Sequence, residues 1–599
     1  MDENESSSRG KWKNKTEALL SCIGYAVGFG NVWRFPYLAY KNGGGAFLVP
    51  YLLMLFLCGI PLFFMESALG QFSSTGCITV FKICPLFKGA GYAIIIVNMI
   101  ASTYFNLIST YPIMFLTYAF NDPLPWSSCD NYWNTKDCIK LKVDGAGTQV
   151  NDSIYRNSSR TVVKTPADEF FHLEILKISS SIEEIGSVDS FLLLCNIISW
   201  IIVYLCIMRG IQSVGKVIYF TVSFPFVILF ILLIRGLTLP GAWDGVYFYI
   251  WPEWKQLGNL KVWADAALQI FFSLGPGWGG IVNISSYNDF KNNCKLDAIM
   301  VPIVNIGTSI LAGFVVFSVI GFMAHETGMP ISTVTTGGPG LAFITYPAAI
   351  SLMPWPNLWA VLFFLMLYNI GLDSLFVTIE TVVSAIVDDF PYLRKFQFYL
   401  TLTTVVLSAS FSILYCTSSG IYWLQLFDWY AASISVVLIC LSEVIIVGWT
   451  YGIKRFIRDI EFMSGEKLSW YWTLSWKIIT PLFLTFLFVT VIAFNTRVSY
   501  LGHEFPEWAI QVGWGSCFIS IACIPVYMIY RLLYIEKGDL MQRITRSLKP
   551  LPDWGPAQSQ DRSKWACKRV KPYLKENVTN AEELSHQLIL SLCNNEENK

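Results

Sequence analysis

Two stretches of this sequence place glycines where a membrane-crossing helix would ordinarily continue. The first reads Gly24-Tyr25-Ala26-Val27-Gly28-Phe29-Gly30-Asn31, the second Ser273-Leu274-Gly275-Pro276-Gly277-Trp278-Gly279-Gly280. In lipid, backbone N–H and C=O groups must be satisfied inside the helix, so a break there normally lines a cavity. Freed carbonyls suit a hard cation, and freed amides at a half-helix N-terminus suit a carboxylate. Broken helices at corresponding positions in two halves of a chain point to a transporter's binding site. The alternative is close packing of helices through small residues, which also uses glycine pairs.

Ionisable residues inside apolar runs are expensive and are functional candidates by default. Arg34, Glu66, Asp373, Glu380 and Asp428 are such residues. For Glu66 and Glu380, capping a broken helix end or bonding backbone amides competes with a role in ion transport. Arg34 and Asp428 stand near the outer ends of their spans and could pair across a vestibule as a gate, or snorkel as a pair unrelated to transport. The four histidines, His172, His325, His503 and His586, are far apart and form no metal-ligand pattern. No phosphate loop or nucleophile motif occurs in a plausible context, so the sequence does not point to an enzyme or to an organic cofactor.

The elements that must hold these residues follow from composition. Of 599 residues, 54% are hydrophobic and 14% charged. That much apolar surface needs the bilayer as solvent, and the zero net charge gives no sign of a nucleic-acid partner. Apolar runs of the ~20 residues needed to cross ~30 Å of hydrocarbon recur near 18–39, 46–70, 88–120, 190–208, 215–236, 262–286, 297–323, 357–388, 397–417, 421–449, 473–494 and 508–534. The expected fold is an all-α integral membrane protein of twelve transmembrane helices. The breaks fall in spans one and six, which implies a five-plus-five repeat, inverted in the membrane.

Short loops on one side carry Lys82 and Lys88, Arg209 and Lys216, Lys291 and Lys295, Arg394 and Lys395, then Lys454, Arg455 and Arg458. By the positive-inside rule that side is cytoplasmic, and both termini share it. The expected organisation is a cytoplasmic segment 1–17, a transporter domain 18–534 and a polar, partly disordered tail 535–599. No cleavable signal peptide is evident at the start. The long loop 121–189 is extracellular and holds acceptor sequons at Asn151 and Asn157. Cys129 and Cys138 in that loop face an oxidising compartment and are expected to pair, the alternative being two unpaired thiols.

Specific motifs add a resemblance. Asn31-Val32-Trp33-Arg34-Phe35-Pro36-Tyr37, Asn42-Gly43-Gly44-Gly45-Ala46-Phe47, Gln269-Ile270-Phe271-Phe272-Ser273, Gly371-Leu372-Asp373-Ser374 and Pro552-Asp553-Trp554-Gly555-Pro556 resemble the neurotransmitter:sodium symporter family, solute carrier family 6. The resemblance covers about residues 10–560 and is closest to the branch carrying glycine and other neutral amino acids.

The resemblance implies one sodium ion at the Ala26 carbonyl, Asn31, Ser273 and Asn305, and a second at the carbonyls of Gly24, Val27 and Ile370 with Asp373 and Ser374. Neutral ligands leave the first site short of negative charge. The family's chloride pattern, which would supply it, is present as Tyr51, Gln269, Ser273, Asn305 and Ser309; an acid in place of Ser309 would have argued for chloride independence. Phe272 resembles the aromatic lid, Arg34 with Asp428 the outer gate, and Arg9 and Trp12 with Tyr287 and Asp388 the inner latch.

The family's monoamine carriers place an aspartate where this chain has Gly28, so the resemblance argues for a carboxylate-bearing solute. The amides of Phe29 and Gly30 would receive it, with Gly275 at the sixth-span break, and Trp278 resembles the tryptophan that shrinks the pocket in glycine-selective members. Ala101, Ser374 and Thr378 would complete the cavity. Phe105 departs from the family's amino-acid carriers, which have a carboxylate-binding tyrosine there; that loss is worth roughly 1.5–3 kcal/mol. The expected activity is sodium- and chloride-coupled symport of a small neutral, glycine-like amino acid across the plasma membrane by alternating access. The alternatives are a carrier of another small solute, and a weakly transporting accessory or sensor.

Overall fold

The computed structural model describes residues 10–139, 165–328, 330–331, 340–493, 499–501 and 503–576. Ten helices among them are long and apolar enough to cross a membrane: Gly45–Ser73, Pro85–Tyr118, Ser190–Ile207, Ile211–Leu237, Cys294–Thr327, Pro356–Asp389, Pro391–Cys416, Gly420–Ser464, Trp470–Ile492 and Glu507–Ile535. Two further spans are interrupted. The first consists of Lys15–Ala26, a π-turn Gly30–Arg34 and Phe35–Lys41; the sixth consists of Leu260–Leu274 and Gly280–Ser285. Among the described residues all twelve expected runs are therefore helical, and only the two glycine-rich ones are interrupted.

The interrupted spans lie at the centre. The first helix packs against the fifth, seventh and eighth spans, and the half-helix Gly280–Ser285 packs against the second. The third span runs along the eighth. Apolar side chains still line the outer faces, among them Ile201, Phe230 and Phe518. That inversion of the soluble pattern is what a lipid solvent permits.

In the long loop, Cys129 and Cys138 form a disulfide. Asn151, Asn157 and Arg9 lie outside the described residues. The polar tail is ordered in part: Leu540–Ser547 and Ser559–Glu576 are helices. Two tryptophans explain why. Trp554 and Trp565 are buried against the bundle, and the Trp565 indole donates to Asp459 Oδ1 at 2.8 Å. A polar composition that cannot form its own core here finds one by docking.

Candidate functional site

The first span stops at Ala26 because Val27 turns to an extended conformation, φ −90° and ψ 94°. Asn31 then folds back on the gap: its Oδ1 accepts the N–H of Gly28 at 3.0 Å. Its amide nitrogen donates to Asn305 Oδ1 at 2.6 Å, to Ser309 Oγ at 2.8 Å and to the Asn305 carbonyl at 3.0 Å. A buried asparagine thus pins the break to the seventh span.

The sixth span stops at Leu274, where Gly275 adopts the left-handed region at φ +65°, followed by Gly277 at +78°. Side chains pay no part of this cost in glycine, which is why the break occurs there. Neighbours hold the freed groups. The Tyr25 hydroxyl donates to the Gly275 carbonyl at 3.0 Å, Glu66 Oε1 accepts the Gly277 N–H at 2.6 Å, and Asn98 donates to the Trp278 carbonyl at 2.9 Å. Glu66 is thus bonded to a backbone amide, one of the two roles its sequence position allowed.

The residues expected to hold chloride meet in one place. The hydroxyls of Tyr51 and Ser309 are 3.1 Å apart. Ser273 Oγ donates to Asn305 Oδ1 at 3.0 Å, and Gln269 donates to the Gly30 carbonyl at 2.7 Å. Asn305 is fully buried, yet its Nδ2 has no partner among the described residues. Its Oδ1 is engaged by Asn31 and Ser273, so the free group is a donor. A buried orphan donor beside three hydroxyls fits an anion.

For the second sodium position, Asp373 is buried, and its Oδ1 has no partner among the described residues. A Cβ on Gly24 would come within 3.1 Å of the Asp373 carboxylate. The carboxylate therefore sits directly against the first helix one turn before its break. An orphaned buried carboxylate oxygen beside helix-end carbonyls fits a hard cation. Ile370 is buried on the same helix, and Val27 is the residue at which the first helix ends.

Space for substrate is limited at Gly28, where a Cβ would lie 3.2 Å from Ser374 Oγ. At Gly371 a Cβ would lie 2.3 Å from Ser109 Oγ and 2.9 Å from the Phe29 ring, so the eighth span closes on the break only through glycine. Phe29 and Phe105 are 5.6 Å apart between ring centres, an apolar contact. Thr378 Oγ1 donates to the Ser374 carbonyl at 2.8 Å. Ala101 is buried in the third span, and Trp278, in the sixth-span break, is half-buried.

The two gates differ. Arg34 lies over Phe272, its Cζ 4.4 Å from the ring centre. Asp428 is within its electrostatic reach, but no direct ion pair joins the two among the described residues. The guanidinium thus makes its close contact with the Phe272 face, a cation–π arrangement. On the opposite face, the Trp12 indole donates to the Ile284 carbonyl at 3.0 Å and its ring meets Tyr287 edge-on at 6.1 Å. Tyr287 donates to Ser384 at 3.0 Å and to Glu380 at 3.3 Å. Asp388 accepts the Gly76 N–H at 2.7 Å and faces Arg394 at 3.5 Å.

Sequence reasoning missed three residues. Glu443 is a buried acid inside the tenth span and met the same criterion that singled out Glu66. Tyr25 and Asn98 gave no comparable signal, since their roles depend on partners 250 and 180 residues away.

Two interrupted helices, a hydroxyl- and amide-lined anion position and an orphaned carboxylate define an ion-coupled secondary transporter. The family model described as the Sodium:neurotransmitter symporter family matches residues 9–535, and the chain belongs to that family. Its relatives include the sodium- and chloride-dependent glycine transporter 1 of Xenopus laevis, 41% identical over 569 residues, covering 93% of this chain and 90% of the relative. The sodium- and chloride-dependent glycine transporter 2 of Xenopus laevis is 43% identical over 594 residues, covering 95% of this chain and 75% of the relative.

Proposed function

We propose that this chain is a plasma-membrane symporter that couples sodium and chloride gradients to the uptake of glycine or a close, small neutral relative. Both termini are cytoplasmic in this reading, and the bundle works by alternating access. The observation that carries it is the buried, unpartnered amide nitrogen of Asn305 amid Tyr51, Ser273 and Ser309. A chloride ion accepting from that donor would supply the negative charge that the adjacent neutral, oxygen-lined sodium position lacks.

The first sodium takes Asn31, Ser273, Asn305 and the Ala26 carbonyl; the second takes Asp373, Ser374 and the carbonyls of Gly24, Val27 and Ile370. The substrate carboxylate sits at the amides of Phe29 and Gly30, where a half-helix begins. Its small size follows from Gly28 against Ser374 and from the bulk of Trp278. The similarity to two sodium- and chloride-dependent glycine transporters supports the same choice. Docking of Trp12 on Tyr287, with Arg34 over Phe272 and not in direct contact with Asp428, fits a carrier latched inside and unlatched outside.

Phe105 favours a second reading, an accessory or sensor that transports weakly, because the apolar Phe29–Phe105 contact offers the carboxylate no hydroxyl. Uptake of labelled solutes into expressing cells, with sodium and chloride replaced in turn, separates the two. Concentrative glycine uptake requiring both ions supports symport. If glycine and its small relatives neither enter nor compete, the substrate assignment fails.

A further inference from the structure

The helix Ile453–Ser464, which follows the tenth span, and the docked tail leave a cleft of about 370 Å³ between them. That is the size of a small-ligand site. Trp554, Trp565 and Leu551 line it together with two cations, Arg455 from the helix and Lys549 from the tail. No carboxylate lines it, and neither cation has an ion-pair or side-chain hydrogen-bond partner among the described residues. The nearest acids in sequence are engaged elsewhere. Asp459 accepts from Trp565 and Tyr451, Asp553 pairs with Lys82, and Glu536 pairs with Arg531 at 2.7 Å. Two like charges facing one cleft repel, and an anion between them removes that cost.

We propose that this cleft binds a phosphate group between Arg455 and Lys549, carried by a phosphorylated inositol lipid of the adjacent leaflet or by a soluble phosphate ester. The guanidinium offers a planar fork that matches two phosphate oxygens, and the ammonium adds a point charge. Position in the membrane favours the lipid. The helix Leu540–Ser547, which leads to Lys549, is separated from the end of the twelfth span at Ile535 only by residues 536–539. Leu540 and Met541 on it are 60% and 69% exposed, as suits a helix at the bilayer interface. Cations immediately outside a span are where phosphorylated headgroups are recognised. A phosphate held there ties the tail to the tenth-span helix, a role separate from symport and independent of it.

The test is binding to the purified full chain in detergent, by thermophoresis, of four probes: dioctanoyl phosphatidylinositol 4,5-bisphosphate, dioctanoyl phosphatidylserine, inositol 1,4,5-trisphosphate and inorganic phosphate. The bisphosphate lipid is expected to bind at least about tenfold more tightly than phosphatidylserine. Arg455→Gln with Lys549→Gln is expected to weaken that binding at least about tenfold, the worth of a hydrogen bond to a charged group. Lys454→Gln with Lys537→Gln makes the same charge change on the same two segments outside the cleft, and should cost less than about threefold. Tighter binding of the lipid than of inositol trisphosphate identifies the leaflet as the source; equal binding identifies a soluble ester. Both cleft cations are exposed, so the variants are expected to fold, and each single substitution decides if the double variant is not recovered. Equal loss in the two variant pairs, phosphatidylserine binding as tightly as the bisphosphate lipid, or no binding of any phosphate compound overturns the proposal.

Discussion

The hydroxyl of Tyr25 in the first span donates to the carbonyl of Gly275 in the sixth at 3.0 Å. Each residue lies at the interruption of its own helix, so this one bond couples the two breaks. A cation entering the first break therefore meets a backbone already tied to the second. Removing the hydroxyl by Tyr25→Phe is expected to cost about 1 kcal/mol of that coupling, or about fivefold. The check is the sodium concentration giving half-maximal uptake, which should rise by that factor while surface expression is unchanged.

Gly28 tests the size of the cavity. A Cβ there would already stand 3.2 Å from Ser374 Oγ, and a carboxylate on it would occupy the position proposed for the substrate's own. Gly28→Asp is expected to abolish glycine uptake, and Gly28→Ala to weaken it, in a radiolabel assay normalised to surface protein.

Ser309 tests the anion. It bonds Asn31 and Tyr51 at the proposed anion position, where a fixed negative charge would stand in for chloride. Ser309→Glu is expected to transport in chloride-free medium at a rate that chloride no longer raises. Sodium dependence should persist. Uptake at matched sodium with chloride replaced by gluconate measures this.

Phe105 tests the carboxylate. Restoring a hydroxyl with Phe105→Tyr is expected to lower the half-saturating glycine concentration by about tenfold or more, the worth of a hydrogen bond to a charged group. No change would mean that the carboxylate is held entirely by the amides of Phe29 and Gly30 and the adjacent cation.

The docked tail gives a stability prediction. Trp565 fills a site on the bundle and its indole satisfies Asp459, so Trp565→Ala leaves a cavity and a buried acceptor. The expected loss is about 3–5 kcal/mol, read as a lower melting temperature in detergent and less protein at the cell surface.

The breaks were legible in the sequence because glycine in a membrane span is a local signal. The helices do end at Ala26 and Leu274, within the stretches marked by composition. The proposed anion cluster was legible only through resemblance: Tyr51, Gln269, Ser273, Asn305 and Ser309 share no local pattern, and tertiary packing brings Tyr51, Ser273, Asn305 and Ser309 together. Three features escaped for the same reason. The Tyr25–Gly275 bond spans 250 residues, the tail's order depends on Asp459 of a distant helix, and the contact of Arg34 with the Phe272 ring is tertiary. Glu443 was different, since a buried acid in an apolar run announces itself by residue type.

The most direct measurement is a density map of the protein in sodium chloride, at a resolution that shows bound ions, paired with one in choline gluconate. The account predicts separate peaks beside Asn31, Ser273 and Asn305, beside Asp373 and Ser374, and between Tyr51 and Ser309, all absent without the salt. Continuous first and sixth helices packed against their neighbours, with no ion density between them, would contradict it.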